Sequence, residues 1–321
     1  MILIDKIIKQ ISVRYHYLKQ SNSVLGSGDI QFYNWWPAKK EELWLYQYIL
    51  NKNKNSQVAF CSVFGNQEIL KFINKPIKIF YTGENLHTNI YSKYAGYLLE
   101  DESISLTLGF DLFEHERYLR FPLWLMYMFS PNINEKEIID RCNTLRFPEI
   151  SLKTKFASMI SRYDILGIRS DIVNSLSNVG KIDCPSNVLY NDSSLKDLFN
   201  DNKRNYLMQY YFNICPENTN AYGYVTEKIF EAIDSGCIPI YWGSYNEPEK
   251  EILNKDAILF WEPQKDNSKI IDEIKYLYNN KNALVEFLRQ PRLLDGAENK
   301  IYDIFRQFED MLDKLYNGII I

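Results

Sequence analysis

The chain has 321 residues, 46% of them hydrophobic and 24% charged, a globular composition that excludes disorder, collagen-like repeats and coiled coil and gives length for about two domains at roughly 150 residues each. Its 37 Lys and Arg against 41 Asp and Glu leave a net charge of −4, so nothing points to a nucleic-acid partner. No window holds the roughly 18–20 apolar residues of a membrane span.

The first apolar run, Met1-Ile2-Leu3-Ile4, is broken by Asp5 and Lys6, too soon for the core of a signal peptide. Residues 3–18 read as an amphipathic helix. With Lys6, Lys9, Arg14 and Lys19, it suits peripheral contact with a membrane surface or a plain packed face. Asp29–Tyr33 follows as a short strand ending in Asn34-Trp35-Trp36-Pro37, then a helical stretch with Leu43, Tyr46, Tyr48, Ile49 and Leu50. Gln57–Phe64 and residues 77–81 read as buried strands, the second stopped by Thr82-Gly83. The run 104–110 is strand-like, and Phe121–Trp124 closes a segment. Residues 131–150 are polar and contain Pro131 and Pro148, which places a domain boundary there.

A second series begins with a strand at 156–161 and a helix at 168–176. Residues 193–209 read as mostly helical, 210–215 as a strand, 225–235 as a helix and 237–242 as a strand. A short strand at 257–260 precedes helices near 268–279, 282–289 and 298–316. Strands alternating with helices indicate βαβ units and mostly parallel sheets. The expectation is two Rossmann-like lobes, residues 1–150 and 151–300, with a terminal helix (301–321) returning to the first lobe. Ligands of such sheets bind beyond the carboxyl ends of the strands.

The five cysteines (Cys61, Cys142, Cys184, Cys215, Cys237) are scattered with no CxxC pair, so neither a zinc knuckle nor a redox motif is indicated. Buried free thiols in a reducing cytoplasm are expected. His16, His87 and His115 form no metal-spaced pair.

Tyr210–Gly243 is the most informative stretch: strand, loop, helix, Gly236, strand. Thr226 is a plausible N-cap or first-turn residue, and Gly236 suits the C′ position. Asn218, Tyr224, Glu227 and Lys228 gather between a strand's carboxyl end and a helix N-terminus, where amides and the helix dipole favour phosphate. An ordinary capped helix with solvated Glu and Lys explains the pattern equally well on physics alone.

Tyr222-Gly223-Tyr224-Val225-Thr226-Glu227-Lys228 and the following Ile238-Pro239-Ile240-Tyr241-Trp242-Gly243-Ser244 resemble the signature of the α1,3/4-fucosyltransferases, glycosyltransferase family 10, in its bacterial Helicobacter-type branch. Phe80-Tyr81-Thr82-Gly83-Glu84-Asn85, Arg117-Tyr118-Leu119-Arg120-Phe121-Pro122-Leu123 and Asn34-Trp35-Trp36 agree, in the family's order. Residues 90–103 look longer than in such relatives and lie where an acceptor could be held. The heptad repeats and basic tail of some relatives are not found up to Ile321, which leaves oligomeric state and membrane attachment open.

The resemblance implies a GT-B fold, two lobes flanking a cleft, and inverting transfer of L-fucose from GDP-β-L-fucose to a hydroxyl, O3, of N-acetylglucosamine in a glycan that also contains galactose. It makes Glu84 the base and places Asn218, Tyr224 and Glu227 around nucleotide and fucose. No two aspartates lie two apart, so no metal is expected, and cationic side chains must meet the leaving diphosphate. Lys228 is one candidate. Arg169, which follows the Phe156-Ala157-Ser158 strand as the family's diphosphate arginine does, is the other, with Arg162 close by. Trp35 and Trp36 either line the acceptor cleft or fill the core. Another GDP-linked sugar, or a non-catalytic glycan-binding role, stands as the alternative.

Overall fold

The apolar runs after Asp29 are short, rich in β-branched and aromatic residues, and bounded by Asn, Gly or Pro, a composition that favours strands. In the computed structural model, which describes residues 24–25, 29–52 and 57–318, they form two sheets in two units. The helix expected over residues 3–18, like His16, lies outside the described residues.

The sheet of the first unit follows chain order: β1 (Val24–Leu25), β2 (Ile30–Tyr33), β3 (Val58–Cys61), β4 (Ile77–Tyr81), β5 (Leu106–Gly109) and β6 (Tyr118–Arg120). Only β1 is antiparallel to its neighbour. All four residues of β3 are fully buried, as expected for a parallel strand covered on both faces. Helix α1 (Trp44–Asn51) connects β2 to β3 and buries Leu45, Tyr48 and Ile49, whereas Leu50 of the expected apolar face is exposed. The 90–103 segment carries a 3-10 turn, Ser92–Tyr97, whose Tyr94 and Tyr97 enter the core. Arg117 fixes it further, donating to the carbonyls of Leu99 and Ile104 at 2.8 and 3.0 Å. A short helix, α2 (Trp124–Met128), follows β6.

The polar stretch 131–150 is a helix rather than a boundary linker. Asn134 and Glu137 form a reciprocal capping box at the start of α3 (Glu135–Arg146), and the two prolines lie outside it. This helix belongs to the second unit, which comprises residues 127–129 and 134–302. Arg141 donates to Asp234 at 2.7 Å, and Arg146 donates to the carbonyl of Leu294 and to Glu298 at 3.0 and 2.6 Å. The long stretch of the second unit therefore begins at Asn134, at the start of the polar segment, and the buried contacts of α3 tie the rest of that segment to it.

The rest of the second unit runs β7 (Lys155–Ser158), α4 (Ile168–Leu176), β8 (Ile182–Asp183), α5 (Ser194–Asp197), α6 (Lys203–Leu207), β9 (Tyr210–Ile214), α7 (Glu227–Asp234), β10 (Ile238–Tyr241) and β11 (Leu259–Phe260). Then come α8 (Ser268–Asn279), α9 (Lys281–Leu288) and α10 (Ala297–Tyr316). All strand pairings are parallel, in the order β11-β10-β9-β7-β8. The chain therefore reverses direction across the sheet between β7 and β9, a topological switch point where such sheets open a crevice for ligands. Gly236, at φ +69°, ends α7 at the expected C′ position. From Asp303 onward α10 is assigned to the first unit, where the Phe305 and Phe308 rings meet Trp44, Tyr48 and Phe121. Among the described residues no helix is long and apolar enough to cross a membrane. All five cysteines are free and buried.

Candidate active site

In the first unit the parallel strands deliver several loops to one edge. Thr82–Asn85 leaves the carboxyl end of β4, and its backbone closes on itself: Glu84 N–H donates to Thr82 Oγ1 at 3.0 Å, and that hydroxyl donates to the Glu84 carbonyl at 2.8 Å. Asn85 continues the lock by accepting from the His87 amide at 2.9 Å. Glu84 itself is half-buried, so its carboxyl group is held by a rigid turn while keeping contact with solvent. Next to this loop, His87 Nε2 lies 2.5 Å from Asp111 Oδ1. Neither residue was singled out by sequence motif reading, since they are far apart in the chain.

The two tryptophans separate in role. Trp35 is 6% exposed and enclosed by Phe32, Phe60 and Tyr81, which makes it, of the two places left open by the sequence, a core residue rather than part of an acceptor cleft. Trp36 is half-buried and rests on Phe64 and Tyr81, so part of its ring can meet a ligand.

In the second unit the expected donor residues converge beyond the carboxyl ends of β7 and β9, at the switch point. Asp164 accepts from the Arg169 and Ser170 amides at 3.0 and 2.9 Å, which anchors the start of α4 and directs Arg169 inward. The Arg169 Nη2 group donates to the Pro216 carbonyl at 2.6 Å and to Asn218 Oδ1 at 3.1 Å. Arg162 is exposed, so burial and partners distinguish the two arginines. Lys228 Nζ, in the first turn of α7, donates to Thr226 Oγ1 at 2.7 Å and Glu217 Oε2 at 3.1 Å, with Glu227 Oε1 at 3.7 Å. Arg169 and Lys228 line one small pocket together with Asn213, Pro216 and Glu231.

Thr226 occupies the N-cap position, but its side chain does not cap the helix. Its amide and hydroxyl instead donate to Glu217 at 2.8 and 2.7 Å. Glu217 was missed by sequence reading although it directly precedes Asn218; a lone loop glutamate carries no periodic or spacing signal. Tyr224 is buried. Asn218 is half-buried, and Glu227 keeps a small accessible fraction.

The charged groups of the cluster shift one another's proton affinities. Burial alone would raise the Glu227 carboxyl, yet Lys228 and Lys203 outweigh it and hold the group below its usual range. Burial likewise disfavours the Lys228 ammonium, but Glu217 and Glu227 push its proton affinity above the ordinary lysine value. Burial lowers the Arg169 value, without approaching loss of its charge near neutrality. Two charged, pre-oriented donors thus face one pocket, the arrangement that grips phosphate oxygens. Among the described residues no group of three or more His, Cys, Asp or Glu could hold a metal ion.

Two family models match the chain in series. Residues 30–127 match the "Alpha-(1,3)-fucosyltransferase FucT N-terminal domain" and residues 150–295 match "Glycosyltransferase family 10 (fucosyltransferase) C-term". The chain belongs to glycosyltransferase family 10. This is the family that the Tyr222–Lys228 and Phe80–Asn85 motifs resemble. The family's N-terminal model covers Glu84 and strands β2 to β6; its C-terminal model covers the Arg169–Lys228 cluster. A family 10 relative, the Helicobacter pylori α-(1,3)-fucosyltransferase FucT, is 31% identical over 279 residues, covering 77% of this chain and 54% of its own. The chain spans about half the length of the curated relatives it matches. A crystal structure of an α1,3-fucosyltransferase aligns with a TM-score of 0.61 at 26% identity, over 93% of this chain and 94% of that one. A second, of an α1,3-fucosyltransferase with GDP-fucose, aligns with a TM-score of 0.51 at 26% identity, over 79% and 78%. The GT-B fold class expected from sequence is thereby shown.

Proposed function

We propose that this chain is an inverting α1,3-fucosyltransferase that moves L-fucose from GDP-β-L-fucose to O3 of N-acetylglucosamine in a glycan such as N-acetyllactosamine. The observation that carries the reading is the Arg169–Asn218–Lys228 cluster at the switch point of the second sheet, in a chain of a fucosyltransferase family.

In the proposed reaction the acceptor oxygen forms a bond to fucose C1 as the bond from C1 to the β-phosphate oxygen breaks. The electron pair leaves with GDP, and the hydroxyl proton passes to Glu84. Arg169 and Lys228 stabilise the negative charge that grows on the diphosphate; Glu227 accepts hydrogen bonds from sugar hydroxyls. In this reading the two side-chain cations serve the diphosphate without a metal, and the five buried thiols suit a reducing cytoplasm.

The test is to incubate the purified protein with GDP-fucose and N-acetyllactosamine, with and without EDTA, and to determine product linkage and anomer by NMR. An α1,3-linked fucosyl product formed at a similar rate in EDTA is expected. No transfer with GDP-fucose but turnover of another GDP-sugar would reassign the donor; sugar binding without turnover of any donor would make the chain a glycan-binding protein. Loss of turnover in EDTA, restored by manganese or magnesium, would reveal a metal requirement.

A further inference from the structure

One short loop, Pro216–Asn218, touches both cations of the donor cluster. Its first carbonyl and its last side chain hold Arg169, and its middle residue, Glu217, holds Lys228. Glu217 is 1% exposed, and its two carboxylate oxygens accept from the Thr226 amide, the Thr226 hydroxyl and Lys228. The Tyr241 hydroxyl lies 3.5 Å from Oε1. A niche is built for this side chain: Gly243 has φ +151°, and a Cβ there would come within 2.6 Å of Glu217 Cγ and 2.7 Å of the Tyr241 hydroxyl.

The consequence falls on Lys228. An ammonium has three N–H donors; here one is directed to Glu217 and one to Thr226, and Thr226 is itself turned by donating its hydroxyl to Glu217. Among the described residues the ammonium's next acidic neighbour is Glu227, whose Oε1 lies at 3.7 Å, beyond hydrogen-bond distance. We infer that Glu217 is the positioning residue of the donor site, a buried counter-charge that aims the Lys228 ammonium at the diphosphate. This rests on the donor-site reading given above.

The groups facing Lys228 are Glu217 from the β9 loop, Glu227 and Glu231 from its own helix, Arg169 from α4, Tyr127 from α2 and Cys215 beside β9. Of these, Glu217 does most to keep the ammonium charged against burial. With Glu217 neutralised, Glu227 at 3.7 Å would be the remaining carboxylate within 4 Å among the described residues. Burial would then draw the lysine's proton affinity downward, and a rising pH would remove the charge that a phosphate needs.

The experiment measures GDP affinity by calorimetry from pH 6.5 to 9 for wild type, Glu217→Gln, Lys228→Met and the double variant. Binding, not transfer, is read, so a protein that binds GDP and fails to transfer fucose overturns the enzyme reading while this inference is still decided. Lys228→Met should weaken GDP by a factor that stays constant with pH. Glu217→Gln should weaken it at pH 6.5, and its ratio to wild type should grow as the pH rises toward 9. The double variant should bind as Lys228→Met does, because the effect of Glu217 passes through that lysine. A pH-independent ratio for Glu217→Gln, or an equal loss in the Lys228→Met background, would make Glu217 a general structural residue and overturn the inference. Absence of GDP binding in wild type would overturn both readings. Should Glu217→Gln not fold, Glu217→Asp, which keeps the charge but withdraws it by one methylene, enters the same cycle: GDP binding should weaken by a factor that stays constant with pH and vanishes in the Lys228→Met background, and wild-type affinity or an equal loss in that background would overturn the inference.

Discussion

Glu84 owes its position to Thr82, whose hydroxyl both accepts from the Glu84 amide and donates to its carbonyl, and to Gly83, where a Cβ would press on Leu123 at 3.3 Å. Because the backbone is locked, exchanging the side chain tests chemistry rather than geometry. Glu84→Gln keeps shape and hydrogen bonding but removes basicity. It should leave GDP affinity unchanged while lowering transfer by roughly 10²–10⁴-fold, mainly in kcat; calorimetry and initial rates on the same preparation check this. Parallel loss of affinity and rate would mark Glu84 as structural. Residue type and order, through the family resemblance, pointed to Glu84, Arg169, Asn218, Glu227 and Lys228 as candidates. The difference in burial and partners between Arg169 and the neighbouring Arg162, which depends on Asp164 and the β9 loop, was not legible there. Trp35 illustrates the opposite limit: a tryptophan after a strand carries no sign of which way its ring turns, and here it turns into the core.

At the scale of elements, long apolar strands and well-capped helices were legible, and helices 168–176 and 268–279 fall where the periodicity puts them. The very short strands β6 and β8 were not, since a strand of two or three residues exists by pairing with its neighbour rather than by its own pattern. The expected helix over 193–209 is two, because Asn200 and Asp201 adopt left-handed backbone with φ of 49° and 60°, which asparagine and aspartate tolerate better than most residues. Helix α3 was hidden by its polarity, and its anchor is ionic. Arg146 is buried and meets Glu298 in the first turn of α10. Burial alone would raise the Glu298 carboxyl, but its bond to Arg146 prevails and holds it below the usual range. The stabilisation is therefore present above the ordinary carboxylate range and is lost as pH falls through the depressed folded value. Glu298→Gln should cost about 1–3 kcal/mol at pH 7, with the difference from wild type shrinking toward pH 3. Thermal melting at both pH values checks the sign.

At the scale of the whole molecule, each unit has its own sheet, yet the first is assembled from separated stretches of chain: residues up to 126, 130–133 and those from 303 onward. The C-terminal part of α10 is a wall of that unit. Phe308 is fully buried, with its ring 5.0 Å from those of Tyr48 and Phe121. Phe308→Ala should cost about 3–5 kcal/mol, and the loss should be local. Hydrogen exchange followed by mass spectrometry should show faster exchange in α1 and β6 with β7, β9 and β10 unchanged; equal acceleration in both units would contradict this assignment.

This wall also sets an order of assembly during synthesis. The strands of the first unit leave the ribosome early, but the segment that closes it is made only after the whole of the second unit. At the usual 5–20 residues per second the first unit waits roughly 10–30 s with the α1 and β6 side chains that Phe305 and Phe308 will cover still open. The unit begun first is thus finished last, and a growing chain stalled before residue 303 would present an uncovered aromatic surface to whatever chaperone or neighbouring nascent chain reaches it.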